Sequence, residues 1–149
     1  MRANMKELSE ELRQEGYRFT HQRRIILEEV QRQQYHPSAK EVYDAVKLRL
    51  PNISLGTVYR SLGVLVELGL IRKVEYGEYA RFDANLADHH HLICTDCNQL
   101  LDVDAPLPEP LNTQQFKARG FEVQGYKLEL YGLCPTCANN QIRLKNTKN

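Results

Sequence analysis

Four cysteines fall in two pairs, Cys94-x-x-Cys97 and Cys134-x-x-Cys137. Two residues between thiolates let one tight turn present both sulfurs to a single ion, and two such turns complete a tetrahedral four-thiolate zinc site. Disulfides or a redox dithiol are the competing readings. The opening MRANMKELSEELRQEG is charged from its second residue and has no apolar core segment, so a soluble protein of the reducing cytoplasm is expected. Two pairs also exceed what one redox motif requires. The spacing therefore points to structural zinc, stapling a unit too small to hold itself together by its core.

A second group of donors is built on imidazole. Three of the five histidines stand in the run Asp88-His89-His90-His91. If that run is a strand, His89 and His91 share one face and Asp88 and His90 the other. His36, Asp83 and Asp102 are the residues that could close on the His89/His91 face. Three imidazoles and two carboxylates form an N/O site suited to Fe(II), Mn(II) or Zn(II), chemically unlike the thiolate site. His21 reads as a solvated surface residue.

These donors need elements to hold them. Met5 to Glu15 has helical spacing and is stopped by Gly16; Thr20 caps a segment carrying Ile26, Leu27 and Val30. Ser38 caps a third helix with Val42, Val46 and Leu50, ended by Pro51. Ser54 caps a fourth, whose Val58, Leu62, Leu65 and Leu68 recur at three- and four-residue spacing. After Gly69, the stretch Leu70 to Glu75, a turn at Tyr76-Gly77-Glu78 and a return arm from Tyr79 to Phe82 read as a hairpin. Short helices followed by a hairpin make a winged helix. Residues 89 to 137 read mainly as strands around one helix.

On the fourth helix, a step of about 100° per residue sets Arg60 nearly opposite Val58, Leu62 and Leu65. Ser54, Thr57, Tyr59, Arg60 and Ser61 are expected near its outward, N-terminal side, with Arg18, Arg23 and Arg24 flanking. That is the chemistry of a recognition helix in the major groove: Arg to guanine or phosphate, Tyr to a thymine methyl, hydroxyls and amides to phosphate.

The chain has 149 residues, 42% apolar and 26% charged, with a net charge of +1. Those values exclude a disordered or coiled-coil chain and a highly basic nucleic-acid binder, though not a small basic face. The first 83 residues carry a slight excess of Lys and Arg and the rest a slight deficit. No run approaches the ~20 apolar residues of a membrane span. A zinc deaminase would need a Glu two residues after the ligand His, and Leu92 and Ile93 follow the histidine run instead. A site closed by four thiolates leaves no position for water, so no enzyme is expected. A zinc-stapled interaction module without DNA binding is the other alternative, and the helical half argues against it.

The segments RFTHQRRIIL, YHPSAKEVY, PNISLGTVYRSLGVLVELGLI, RFD, DHHHLICTDC and LELYGLCPTC together resemble the ferric-uptake-regulator family of metal-dependent repressors over nearly the whole chain. The resemblance implies an α+β protein: a winged-helix DNA-binding domain over 1–83, a hinge over 84–88, and a small α/β dimerisation domain with a four-cysteine zinc site over 89–149. It implies Zn(II) on Cys94, Cys97, Cys134 and Cys137, and Fe(II) or Mn(II) on His36, Asp83, His89, His91 and Asp102, one of each per subunit. Arg18, Arg23, Ser54, Thr57, Tyr59 and Arg60 are then the expected DNA contacts, with Tyr59 and Arg60 matching the family's base-contacting pair, and the partners are a second copy and a palindromic double-stranded operator. Asp102 and Asp83 fit the family's peroxide-sensing branch, in which a ligand histidine is oxidised; His36 and His89 are the expected targets. An iron-responsive regulator is the alternative, and a zinc uptake regulator a more distant one. Some iron-uptake members have a further site, whose positions here are Asp88, His90, Glu109 and Tyr126, with Tyr replacing the expected His.

Overall fold

A computed structural model describes residues 5–14, 16–33, 35–76, 78–87, 89–103, 114–117, 119–124 and 126–146. They form two compact units, Met1–Leu86 and Ala87–Asn149.

In the first unit, helices α1 (Met5–Gln14), α2 (His21–Arg32), α3 (Ala39–Val46) and α4 (Leu55–Glu67) precede a hairpin of β1 (Arg72–Tyr76) and β2 (Tyr79–Asp83). Local chemistry sets the boundaries. Gly16 takes a left-handed φ of 85°, and the Tyr17 N–H returns to the Leu12 carbonyl at 2.8 Å, which ends α1 where a Cβ would be strained. Thr20, Ser38 and Ser54 each accept a backbone N–H three residues on, from Arg23, Glu41 and Thr57. At Ser38 the cap is reciprocal, because Glu41 accepts the Ser38 N–H at 2.7 Å. Burial pushes the Glu41 carboxyl up, but hydrogen bonds from Ser38 and the Arg81 charge outweigh it and hold it low.

Ile26, Val42, Val46, Val58, Leu62 and Leu65 are wholly buried together, and Phe82 of the hairpin closes the same core. Each such side chain stabilises the unit by about 1.5–3 kcal/mol relative to exposure. The hairpin register pairs Arg72 with Asp83 and Tyr76 with Tyr79, so β1 starts at Arg72 instead of Leu70, and both strands run one residue further than the sequence pattern indicates. The third helix stops at Val46, before Leu50. Leu48 and Arg49 bond three residues back, a tightened turn consistent with Pro51 keeping Leu50 out of the helical region, while Leu50 still packs against the core.

In the second unit, β3 (His91–Cys94) lies between β4 (Leu100–Asp102), antiparallel, and β5 (Glu129–Gly132), parallel. Helices α5 (Gln114–Lys117) and α6 (Pro135–Asn146) complete it. The strand begins at His91, so His89 and His90 precede it and are not strand residues as expected. Helix α6 is additional to the strands and single helix that the pattern over 89–137 predicts. Its signal is Pro135, favoured at a first helical position, directly after Cys134, whose carbonyl accepts the Ala138 N–H at 2.9 Å.

Candidate metal centres

The first cysteine pair sits where β3 turns into β4. Cys94 ends the strand, and the turn closes with the Asn98 N–H on the Cys94 carbonyl and the Cys94 N–H on the Gln99 carbonyl, both at 2.9 Å. Asn98 takes a φ of 57°, a conformation Asn tolerates better than most residues. The second pair spans the entry to α6. All four sulfurs lie within 4.8 Å of one another, and Cys97 and Cys134 Sγ are 3.8 Å apart. A tetrahedron of ~2.3 Å Zn–S bonds has sulfurs about 3.8 Å apart, so the donor set fits Zn(II).

The electrostatics agree. Burial pushes the Cys94 thiol up, yet backbone N–H groups of Cys97, Cys134 and Asp96 outweigh it and bring it down to about 6; the Cys134 N–H is 3.3 Å away. Cys97 is raised, chiefly by burial, and Cys137 is raised by the adjacent Cys134 thiol and then by Asp96. Crowded thiols resist ionising together unless a cation offsets the repulsion, which Zn(II) does.

The second unit also assembles His89, His91 and Asp102. Register places Asp102 opposite His91, and Asp102 Oδ1 lies 3.0 Å from His89 Nε2 and 3.6 Å from His91 Nε2. The two rings meet edge to face at 4.5 Å. His89 Nδ1 is 2.7 Å from the Ala87 carbonyl; a carbonyl only accepts, so Nδ1 donates there, which orients the ring and leaves Nε2 as the nitrogen on the Asp102 side. Two imidazoles and a carboxylate, clustered and largely covered, are donors for a borderline divalent ion. In the first unit, the other two expected ligands stand together: His36 Nδ1 is 3.4 Å from Asp83 Oδ1, with both residues buried.

His90 is engaged differently. Its Nδ1 accepts the Leu128 N–H at 3.1 Å, and its ring stacks on Tyr126 at 5.4 Å, so Nδ1 is committed to the backbone. Asp88 and Glu109 lie outside the described residues. His21 is exposed, its Nδ1 accepting from Arg24 at 3.0 Å.

On α4 the outward side chains are Ser54, Tyr59 and Arg60, with Thr57 half-buried; Tyr59 is 56% exposed. Ser61 departs from expectation. It is 6% exposed, because three residues after Val58 is the same face as Val58 and Leu65. Ser54 and Thr57 hydroxyls bond each other at 2.8 Å. Arg18 is exposed, and Arg23 donates to the Arg18 carbonyl, which holds the two arginines at the entry to α2.

Residues 14–131 match the model of the Ferric uptake regulator family. The chain is 36% identical over 138 residues to the peroxide operon regulator of Bacillus subtilis (strain 168), covering 92% of this chain and 95% of that protein. It is 35% identical over 127 residues to the peroxide-responsive repressor PerR of Staphylococcus aureus (strain USA300), covering 85% and 86%. The structure of a ferric uptake regulator from Francisella tularensis with iron superposes with a TM-score of 0.70 at 27% identity, over 83% of this chain and 96% of that one.

Proposed function

The chain belongs to the ferric uptake regulator family, and on that premise we propose that it is a metal-dependent DNA-binding repressor that senses hydrogen peroxide by oxidation of a ligand histidine. Its end-to-end similarity to the peroxide operon regulator carries this reading. Asp102 supports it, because its short carboxylate already reaches two imidazoles.

The roles divide by donor type. Cys94, Cys97, Cys134 and Cys137 hold structural Zn(II), one per subunit, which stabilises the second unit. His36, Asp83, His89, His91 and Asp102 hold the regulatory Fe(II) or Mn(II), one per subunit. Fe(II), when bound, supplies the one-electron reduction of peroxide that Mn(II) supplies far less readily. His36 and His89 are the side chains that take up oxygen, and the change spends the ligand, so the response is stoichiometric and the protein is not an enzyme. Residues 1–83 carry the DNA-binding head, 84–88 the hinge, and residues 89–149 join two chains, so that two heads meet the half-sites of a palindromic operator in the cytoplasm. Among the described residues no helix is long and apolar enough to cross a membrane. Arg18, Arg23, Ser54 and Thr57 serve phosphates, and Tyr59 and Arg60 serve base edges.

The test is peroxide treatment of the Fe(II)- and Mn(II)-loaded protein, followed by operator retention and mass spectrometry. The Fe(II) form is expected to release DNA and gain one oxygen on His36 or His89, while the Mn(II) form keeps both DNA and mass. An Fe(II) form that keeps its operator and unmodified histidines makes the iron-responsive regulator the better assignment.

A further inference from the structure

Arg81 stands two residues before Asp83 on β2, so strand alternation puts both side chains on one face. Its Nη1 donates to the His36 carbonyl at 3.2 Å and to Glu41 Oε2 at 2.6 Å. The same Glu41 oxygen accepts the Ser38 N–H at 2.7 Å. Between these contacts, the Phe82 N–H donates to the Pro37 carbonyl at 2.9 Å. Residues 36, 37 and 38 are thus each tied to β2 or to the carboxylate that its arginine holds. The Arg81 side chain is 14% exposed and that of Glu41 56%, so the carboxylate meets solvent and the strut acts through its hydrogen-bond geometry more than through charge attraction.

His36 needs such support. It lies in the connection between α2 and α3, outside any helix or strand, and the following proline restricts its backbone without anchoring it. Its Nδ1 faces Asp83 Oδ1 at 3.4 Å, and Asp83 is itself held by the Asn85 N–H at 2.7 Å. A ligand pair shared between a connection and a strand keeps its spacing only if the connection is fastened to that strand.

We propose that Arg81 and Glu41 are positioning residues for the regulatory metal: their guanidinium–carboxylate strut fixes the His36 backbone so that its imidazole stays beside Asp83. The proposal rests on the reading of His36 and Asp83 as ligands. It gives a role to two charged residues that lie outside the expected donor set, and it places the preparation of the ligand pair within the first unit. An ordered pair loses less conformational freedom when the ion arrives, so loosening the strut lowers affinity even with every donor present.

Mn(II) alone is the probe, titrated into the full-length zinc-loaded protein with the electron paramagnetic resonance of free Mn(II) as readout. The variants are Arg81→Gln, Glu41→Gln, His36→Ala and the Arg81→Gln/His36→Ala double variant. Arg81→Gln is expected to weaken Mn(II) binding about tenfold or more. Glu41→Gln, whose amide oxygen still caps Ser38, is expected to weaken it in the same direction, and it carries the test if Arg81→Gln does not fold. In the His36→Ala background, Arg81→Gln is expected to cost nothing further, since there is no imidazole left to place. Wild-type affinity in both single strut variants overturns the proposal. So does an Arg81→Gln loss of equal size with and without His36, which marks a merely structural ion pair. Wild-type affinity in His36→Ala strikes the ligand assignment itself and takes the strut proposal with it, a pattern distinct from the other two.

Discussion

Asp102 Oδ1 lies within 3.6 Å of two imidazoles, so the length of this side chain sets how closely a carboxylate approaches any ion they hold. Asp102→Glu adds one methylene. It is expected to keep metal-dependent operator retention and to blunt the loss of DNA on peroxide treatment, as measured by gel retardation before and after exposure; unaltered sensitivity would remove Asp102 from the sensing step. Arg60 acts elsewhere. Exposed on α4, it makes no contribution to the core, so Arg60→Ala should weaken operator binding by about 1–3 kcal/mol while Mn(II) affinity stays fixed. A loss confined to one base position marks a guanine contact, whereas a uniform loss with a shallower salt slope marks a phosphate.

The elements divide into those held by their own core and those held by metal. α2, α3, α4 and β2 share one apolar cluster, whereas β3, β4 and the start of α6 meet at the four cysteines. Cys97→Ser is therefore expected to release zinc and unfold the second unit, and His89→Ala to leave zinc content and circular dichroism intact while impairing metal-dependent DNA binding. Equal loss of zinc in both variants would refute the division. Much of this was legible in the residues. Ser and Thr caps, glycine stops and three-to-four spacing mark the helices because those signals are local, and CxxC pairs mark the thiolate centre because the turn that presents two sulfurs is local too. Ser61 lies near the helix N-terminus, where polar residues often face out, but its angle from Val58 puts it on the apolar face. Helix α6 is hard to read because its apolar face is weak and Pro135 is its main local signal. That His91 stands opposite Asp102 depends on strand register, which no short window of sequence states.

At the scale of the whole molecule, the second unit shows an apolar row across all three strands. Leu101, Leu92 and Leu130 are paired by register, with Leu92 and Leu130 about two-fifths exposed around a hollow of ≈ 170 Å³. Exposed apolar surface of this kind suits a second chain, and light scattering of the zinc-loaded protein at micromolar concentration is expected to give twice the 17.3 kDa chain mass; a monomer would refute the dimer. The parallel pairing of β3 with β5 also bears on how the chain acquires its structure in time. Strands that run the same way cannot be joined by a tight turn, and the sulfurs they bring together are 37 residues apart in sequence. That closure must lose entropy before any contact rewards it, whereas the helical caps and turns of the first unit form between near neighbours. The two units should therefore refold on different clocks. Dilution from denaturant with a zinc chelator present is expected to restore helical circular dichroism in a fast phase that zinc does not alter, with the sheet unit arriving only when zinc is added back; one common rate, insensitive to zinc, would contradict this.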